Sequence, residues 1–190
     1  RACSTFVPMQ PIAPRFRTLT EIWATPSAPP GTWPRPPSAL VAARLDEPHV
    51  VFLIGMRINT LWKVHRWLPV IRAMARMLGE LYRRPELGFM GGKTWFGRTI
   101  IVVQYWRSFE DLETYAKAKD LQHLPAWAAF NRATTGNVDV GVYHETYRVR
   151  PGDYENVFVN MPPTLMSEVA PVEQAGGKLA SARGRIDAVK

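Results

Sequence analysis

The sequence contains a single cysteine, Cys3, and its longest apolar run is Val50–Met56. One cysteine excludes an internal disulfide and a zinc site built from cysteines. The apolar run is far shorter than the ~18 residues that a membrane helix needs, so we expect no membrane span. The chain begins at Arg1 without a basic and then apolar leader. We therefore expect a cytoplasmic protein.

The sequence patterns of three enzyme classes are absent. No glycine-rich phosphate loop precedes a helix, which disfavours nucleotide and flavin cofactors bound by a Rossmann motif. No G-x-S-x-G elbow is present, which disfavours hydrolase chemistry. No two histidines have helical ligand spacing and no carboxylate pair accompanies them, so we predict no metal site. The histidines are His49, which we expect to be a solvent-exposed edge residue, His65, His123 and His144.

Positive charge is in excess, with a formal net charge of +8. About half of the excess lies in the two terminal segments, and residues 48–171 carry a net charge of +4. The densest basic cluster, between Lys63 and Arg84, follows one predicted helix, and a solvated helix face explains it. We therefore predict no nucleic-acid partner.

Proline divides the chain. Residues 1–40 hold nine of the 17 prolines, and proline removes backbone donors and fixes φ, so this arm forms no helix and no central strand. We predict a proline-rich arm over 1–44, a folded domain over 45–165 and a loose tail over 166–190.

Within 45–165, strand and helix patterns alternate. The first strand is apolar and β-branched, and the first helix has an apolar face at i, i+4 spacing that starts at Pro69 and ends at Pro85. Ser108 is a suitable N-cap, with Asp111 three residues on. The predicted elements are strand 49–58, helix 69–84, strand 87–95, strand 99–106, helix 108–118, helix 125–134 and strand 138–149, with a further strand or edge extension over 154–160.

This order, β-α-β-β-α-β, predicts an α+β domain of the ferredoxin-like class. Such a sheet carries helices on one face. Along the third strand both faces are apolar, since Ile101, Val103 and Tyr105 alternate with Val102 and Trp106. We expect the second face to meet a partner subunit or a ligand. Two copies of such a sheet commonly pair into a barrel, so we predict a homodimer.

Aromatic and polar residues recur together in four connecting segments. They are Trp62–Pro69, Gln104–Trp106, His123–Trp127 and Tyr143–Tyr147. Aromatic walls with a few polar groups are typical of a small-molecule pocket. The predicted partner is therefore a small hydrophobic molecule.

Over residues 51–163 the chain resembles the monooxygenase family that includes the fumagillin-biosynthesis monooxygenase. The motifs that carry the resemblance are Phe52–Asn59, Trp62–Pro69, Gln104–Phe109, His123–Trp127 with Phe130 and Asn131, Tyr143–Tyr147 and Asn160–Pro163. The resemblance implies a dimeric α/β barrel, like that of antibiotic-biosynthesis monooxygenases and haem aldoxime dehydratases. It also implies a role in secondary metabolism.

Two chemistries are compatible with this resemblance. In cofactor-independent monooxygenases of this fold a base deprotonates the substrate, whose anion reduces dioxygen. Our first choice for the base is His65 and our second is His123. The alternative is a haem enzyme of the aldoxime-dehydratase type, with His123 as the ligand. A non-catalytic binding protein is the third possibility. The predicted substrate-binding residues are Trp62, Tyr105, Trp106, Trp127, Asn131 and His144.

Overall fold

The structure is a computed structural model that describes residues 40–188, except for the side chains at 129 and 132–134. All of these belong to one of the two units of the chain, residues 36–190. Cys3 and most of the predicted proline-rich arm lie outside the described residues. The strands and helices are β1 (Leu40–Ala43), β2 (His49–Ile58), α1 (Val64–Arg83), β3 (Phe89–Trp95), β4 (Thr99–Trp106), α2 (Phe109–Lys117), α3 (His123–Thr134), β5 (Val140–Val149), β6 (Phe158–Val159), α4 (Met166–Val169), β7 (Val172–Gln174) and α5 (Ala182–Asp187).

Four strands form an antiparallel sheet in the order β3-β4-β2-β5. β2 is an inner strand, in which Val50 pairs with Trp106 of β4 on one side and with Arg148 of β5 on the other. Its β-branched and apolar residues suit a strand with neighbours on both sides. The order of the elements and the antiparallel pairing confirm the ferredoxin-like β-α-β-β-α-β fold.

Helix α1 packs its apolar stripe against one face of this sheet, and Leu81 in that stripe is buried. The helix begins at Val64, five residues earlier than predicted, so Pro69 lies inside it. The indole of Trp67 fixes this first turn, because its Nε1–H donates to the Leu61 carbonyl at 2.9 Å. The apolar stripe predicted the helix correctly, whereas the assumption that Pro69 lies in its first turn placed the predicted start too late.

Helices α2 and α3 complete the same layer. The Ser108 hydroxyl accepts a hydrogen bond from the Asp111 N–H at 3.0 Å, which confirms the predicted N-cap. Tyr115 of α2 is buried, and α3 begins at His123, two residues before the predicted Pro125. No helix within residues 40–188 has both the length and the apolar character needed to cross a membrane.

The second face of the sheet is half covered by the chain itself. Strands β6, β1 and β7 form a small antiparallel sheet in that order, and α4 follows β6 along the chain. β6 lies within the strand predicted over 154–160. β1 lies at the end of the predicted proline-rich arm and is the middle strand, so the expectation that this arm forms no central strand was wrong there. Ala43 and Met166 are buried there against Tyr105 of the large sheet. Residues 166–187 therefore include a strand and two helices, which differs from the loose tail that we predicted. The uncovered half of the face carries Trp95 and Tyr143, which are 44% and 38% exposed.

Candidate functional site

A cavity of about 480 Å³ lies between the large sheet, α1 and α3. The sheet side of the cavity is lined by even-numbered residues of β2, β4 and β5, which face the helices because side chains alternate along a strand. The opposite side is lined by α1 residues at i, i+4 spacing, which lie on one face of the helix. The apolar lining includes Ile54, Met56, Val70, Ile71, Met74, Met77, Leu78, Ile100, Val102, Trp127, Phe130, Val140 and Val142.

Few polar groups reach this cavity. They come from His65, Arg66, Arg76, Thr94, His123 and Asn137. A mostly apolar space with a few polar groups has the composition of small-molecule sites. Three methionines in the lining add flexible side chains that adapt to the shape of a ligand.

His123 is the most defined polar group of the cavity. It is the first residue of α3 and is half-buried. Its Nδ1 lies 3.0 Å from the carbonyl oxygen of Ala116 in α2. A carbonyl oxygen only accepts, so Nδ1 carries a proton, and in the neutral form of the ring the lone pair is then on Nε2. The Nε2 atom is thus the nitrogen that a ligand in the cavity can use.

His65 and Trp127 also line the cavity. His65 is the second residue of α1 and is exposed, which places it at the mouth of the cavity. Trp127 stacks on Phe130, with ring centroids 5.6 Å apart and planes 22° apart, and the pair forms one wall. The structure thus brings together three of the predicted site residues, His65 from one segment and His123 and Trp127 from another.

Trp106 and Tyr105 do not line this cavity, although we predicted both as substrate-binding. Trp106 is 0% exposed and packs in the core against Phe89, 5.6 Å between ring centroids. Its Nε1–H donates to Gln104 Oε1 at 2.9 Å. Tyr105 points to the opposite face of the sheet, because neighbouring residues of a strand alternate. Burial there raises the pKa of its hydroxyl.

Trp62, Asn131 and His144 also lie outside the lining of the cavity. Trp62 is 82% exposed in the loop before α1. Asn131 is exposed on α3, one position beyond Phe130. His144 is exposed on the edge strand β5, where its ring lies 5.7 Å from that of Phe52. A sequence motif shows that such residues occur together but does not show which way each side chain points.

His49 differs from its expected place. It is 4% exposed, because β2 is an inner strand and the small sheet covers this end of it. Its ring packs edge-on against Tyr154 at 5.3 Å, and within residues 40–188 its Nε2 has no hydrogen-bond partner. Burial lowers the pKa of His49. The expectation of an exposed residue was wrong because Tyr154, whose ring packs on His49, lies more than 100 residues further along the chain.

Sequence reasoning missed most of the aliphatic lining. Ile54, Met56 and Val102 have the alternation of core residues, and nothing local distinguishes a residue facing a cavity from one facing another side chain. Phe96, in the β3–β4 turn, also lines the cavity and is 78% exposed. An aromatic residue in a hairpin turn is unusual enough to have indicated Phe96 as a candidate from the sequence.

The comparisons with known proteins agree with this architecture. Monooxygenase af470 of Aspergillus fumigatus (strain ATCC MYA-4609 / CBS 101355 / FGSC A1100 / Af293) is 27% identical over 126 residues, which are 62% of this chain. The chain spans 44% of that relative's length. The solved aldoxime dehydratase OxdRE, in complex with butyraldoxime, superimposes with a TM-score of 0.59 at 18% identity, covering 72% of this chain and 42% of that one.

A second aldoxime dehydratase structure gives a TM-score of 0.58 at 19% identity, covering 71% of this chain and 42% of that one. At 18% and 19% sequence identity, the similarity to these two structures shows only that the fold is shared. Residues 49–166 match the family described as Monooxygenase af470-like, and this region contains the large sheet and the whole lining of the cavity. By that match over more than half of its length, the chain belongs to the monooxygenase af470-like family.

Proposed function

We propose that this protein is a monooxygenase-type enzyme that oxidises a small hydrophobic molecule in the cavity between the sheet, α1 and α3, with His123 as the base. One observation carries the proposal. In an apolar cavity of about 480 Å³, the Nδ1–H of His123 is held by the Ala116 carbonyl, which leaves Nε2 free to accept a proton. Membership of the monooxygenase family supports the reaction type.

The chemistry follows from what the cavity offers. Nε2 of His123 removes a proton from an acidic C–H of an electron-rich substrate, and the resulting anion reduces dioxygen to a hydroperoxide. Loss of water then leaves a carbonyl, so that a CH₂ group and one dioxygen become C=O and one water. Arg66 and Asn137 at the cavity can stabilise the developing negative charge. The aliphatic lining excludes water from the anion and strengthens these interactions.

His123 takes precedence over His65 on geometric grounds. A base works best with its tautomer and ring orientation fixed, and the hydrogen bond to Ala116 fixes both for His123. His65 is exposed, so solvent competes for its nitrogens. This reverses the order that the sequence favoured, and the proposal gives His65 the role of a residue at the cavity mouth.

Oxygen uptake tests the proposal, with the anthrone dithranol as probe because it has an acidic CH₂ and is electron-rich. We expect the protein to consume one dioxygen per dithranol oxidised, above the rate in buffer. His123→Asn keeps a donor for the Ala116 carbonyl but cannot take the proton, so kcat should fall about 10²–10⁴-fold. His65→Asn is the matched control, and its loss should stay below tenfold.

The opposite pattern, a large loss in His65→Asn alone, would move the base to the cavity mouth. Uptake equal to that in buffer would contradict a cofactor-free oxygenase. Saturable binding of a hydrophobic dye such as 1-aminoanthracene without any uptake would instead favour a non-catalytic binding protein.

A haem enzyme is the second candidate, and the same nitrogen favours it. A metal-ligating histidine usually donates its other ring N–H to a carbonyl or carboxylate, as His123 does. Arg66 and Arg76 line the cavity and match the charge of the haem propionates. Bound haem would supply the redox chemistry, and His123 would hold its iron. A hemin titration tests this, because a Soret band that saturates at one per chain and is lost in His123→Asn would support it.

The proposal includes a homodimer. Trp95 and Tyr143 remain partly exposed on the uncovered half of the second sheet face, where Leu53 and Ile101 are also only half-buried. A second copy placed on this half would bury these side chains. Light scattering should give the mass of two chains, and a monodisperse monomer would contradict this part of the proposal.

A further inference from the structure

One end of the large sheet carries a group of exposed apolar side chains, which we call the apolar end. Its members are Leu61, Trp62, Val64, Phe96 and Val138. Trp62 and Val138 are each 82% exposed, Phe96 is 78% exposed, and Leu61 and Val64 are 50% and 44% exposed. Large hydrophobic side chains gathered on a surface in this way mark an interaction site more often than singly scattered ones do.

Hydrogen bonds hold the three loops of the apolar end together. The Ile58 N–H donates to the Arg98 carbonyl at 2.9 Å, which joins the end of β2 to the β3–β4 turn. The Asn59 side-chain amide donates to the Val138 carbonyl at 2.7 Å, which joins it to the segment before β5. These hydrogen bonds therefore fix the positions of the loops that carry the side chains of the apolar end.

The charge around the apolar end is positive. Arg57 and Arg98 are exposed beside it, and their side chains donate to neutral oxygens, the Thr99 hydroxyl and the carbonyls of residues 58 and 59. The loops also contain one carboxylate, that of Asp139. Lys63 neutralises it at 3.0 Å and holds the pKa of Asp139 below its usual range.

We propose that the apolar end docks on the surface of a bilayer that contains anionic phospholipids. Tryptophan and phenylalanine enter the boundary between headgroups and acyl chains, and adjacent arginines pair with lipid phosphates. Arg57 and Arg98 would each contribute through the negative surface potential of such a bilayer. Aliphatic Leu61 and Val138 suit acyl chains, whereas sites for single-stranded nucleic acid use aromatic platforms along a basic groove.

A second copy of this chain is a poorer occupant of the same surface. A symmetric contact would place the apolar end against itself. The Arg57 and Arg98 side chains of both copies would then lie at one contact, and like charges brought together oppose association. A phospholipid surface supplies the opposite charge and an apolar interior together.

Docking would also place the cavity against the membrane. Phe96 belongs to the apolar end and lines the cavity, and His65 and Asn137 lie in the same loops or next to them. A hydrophobic substrate dissolved in the bilayer could enter at this point without crossing water. This consequence rests on the proposed function, whereas the docking itself does not.

Co-sedimentation of the full chain with sucrose-loaded vesicles tests the proposal. We expect binding to phosphatidylcholine–phosphatidylserine vesicles that exceeds binding to pure phosphatidylcholine and weakens with added salt. Trp62→Ser combined with Phe96→Ser should reduce binding at least tenfold. The matched control changes Val159 and Val172, which are 50% and 53% exposed elsewhere, to serine and should bind as the parent does.

The charge is tested in the same assay. Arg57→Gln should weaken binding to the phosphatidylserine vesicles about fivefold, the equivalent of ~1 kcal/mol per surface cation. Arg183→Gln is the control, since this arginine is 82% exposed on α5. We expect the circular dichroism spectrum of each variant to match that of the parent, because all the substituted side chains are exposed.

Three results would overturn the proposal. The first is equal recovery of the parent protein with and without vesicles. The second is unchanged binding of the Trp62→Ser, Phe96→Ser variant, which would place the membrane contact elsewhere on the chain. The third is a self-association, or a binding of oligothymidylate, that this variant abolishes while vesicle binding persists. The vesicle assay involves no substrate, so failure of the enzymatic proposal leaves it unaffected.

Discussion

Two tryptophans that the sequence placed in one site should behave in opposite ways when replaced. Trp106 is fully buried and donates to Gln104 Oε1 at 2.9 Å, whereas Trp62 is 82% exposed. Trp106→Phe removes part of a packed ring and leaves the Gln104 oxygen without its donor. The lost packing and the unpaired oxygen together should lower the free energy of unfolding by about 2–4 kcal/mol. Trp62→Phe should change it by less than about 0.5 kcal/mol.

Urea unfolding measures the difference directly, and in a thermal scan Trp106→Phe should lower Tm by roughly 10 °C. Adding Gln104→Leu to Trp106→Phe should recover about 1 kcal/mol, because both polar partners are then gone. Unchanged stability of Trp106→Phe, together with a loss of 1-aminoanthracene binding, would refute this prediction. Trp106 would then be a ligand contact and not a core residue.

Three further predictions concern a cap, a buried histidine and the cavity. Ser108→Ala should cost about 1 kcal/mol in urea unfolding, because it removes the acceptor for the Asp111 N–H, and an unchanged midpoint would contradict the cap. Because burial lowers the pKa of His49, the unfolded chain takes up a proton at a higher pH than the folded one. Stability should thus be full above pH ~6.5 and fall below it, and His49→Leu should remove this part of the dependence. Val102→Phe, which projects into the cavity, should weaken 1-aminoanthracene binding about tenfold, whereas Ile101→Phe on the opposite face should not.

The large sheet and its helices were predictable because their signals are local. Residues 49–58 and 99–106 are apolar runs of strand length, and α1 has an apolar stripe over several turns. Of the small sheet only β6 was predicted, as part of a strand or edge extension over 154–160. Strand β6 has two residues and β1 has four, which is too short for a period to show, and β1 pairs with residues more than 100 positions away.

The site was predictable in part. Its residue types and three of its members, His65, His123 and Trp127, came from motif positions, and these three line one cavity. The ranking of the histidines was not predictable, since the bond from His123 to the Ala116 carbonyl depends on how α2 and α3 pack together. The aliphatic lining escaped notice because a cavity wall and a packed core have the same sequence pattern.

The direct test of the account is a long-range ¹H–¹⁵N correlation spectrum of the histidine rings, with and without 1-aminoanthracene. Removal of signals in His123→Asn assigns that ring. We predict that His123 has its proton on Nδ1 and that its Nε2 resonance shifts when the dye enters the cavity, while the exposed ring of His144 does not change. A proton on Nε2, or a His123 ring that does not respond to the bound dye, would contradict the assignment of this nitrogen as the reactive group.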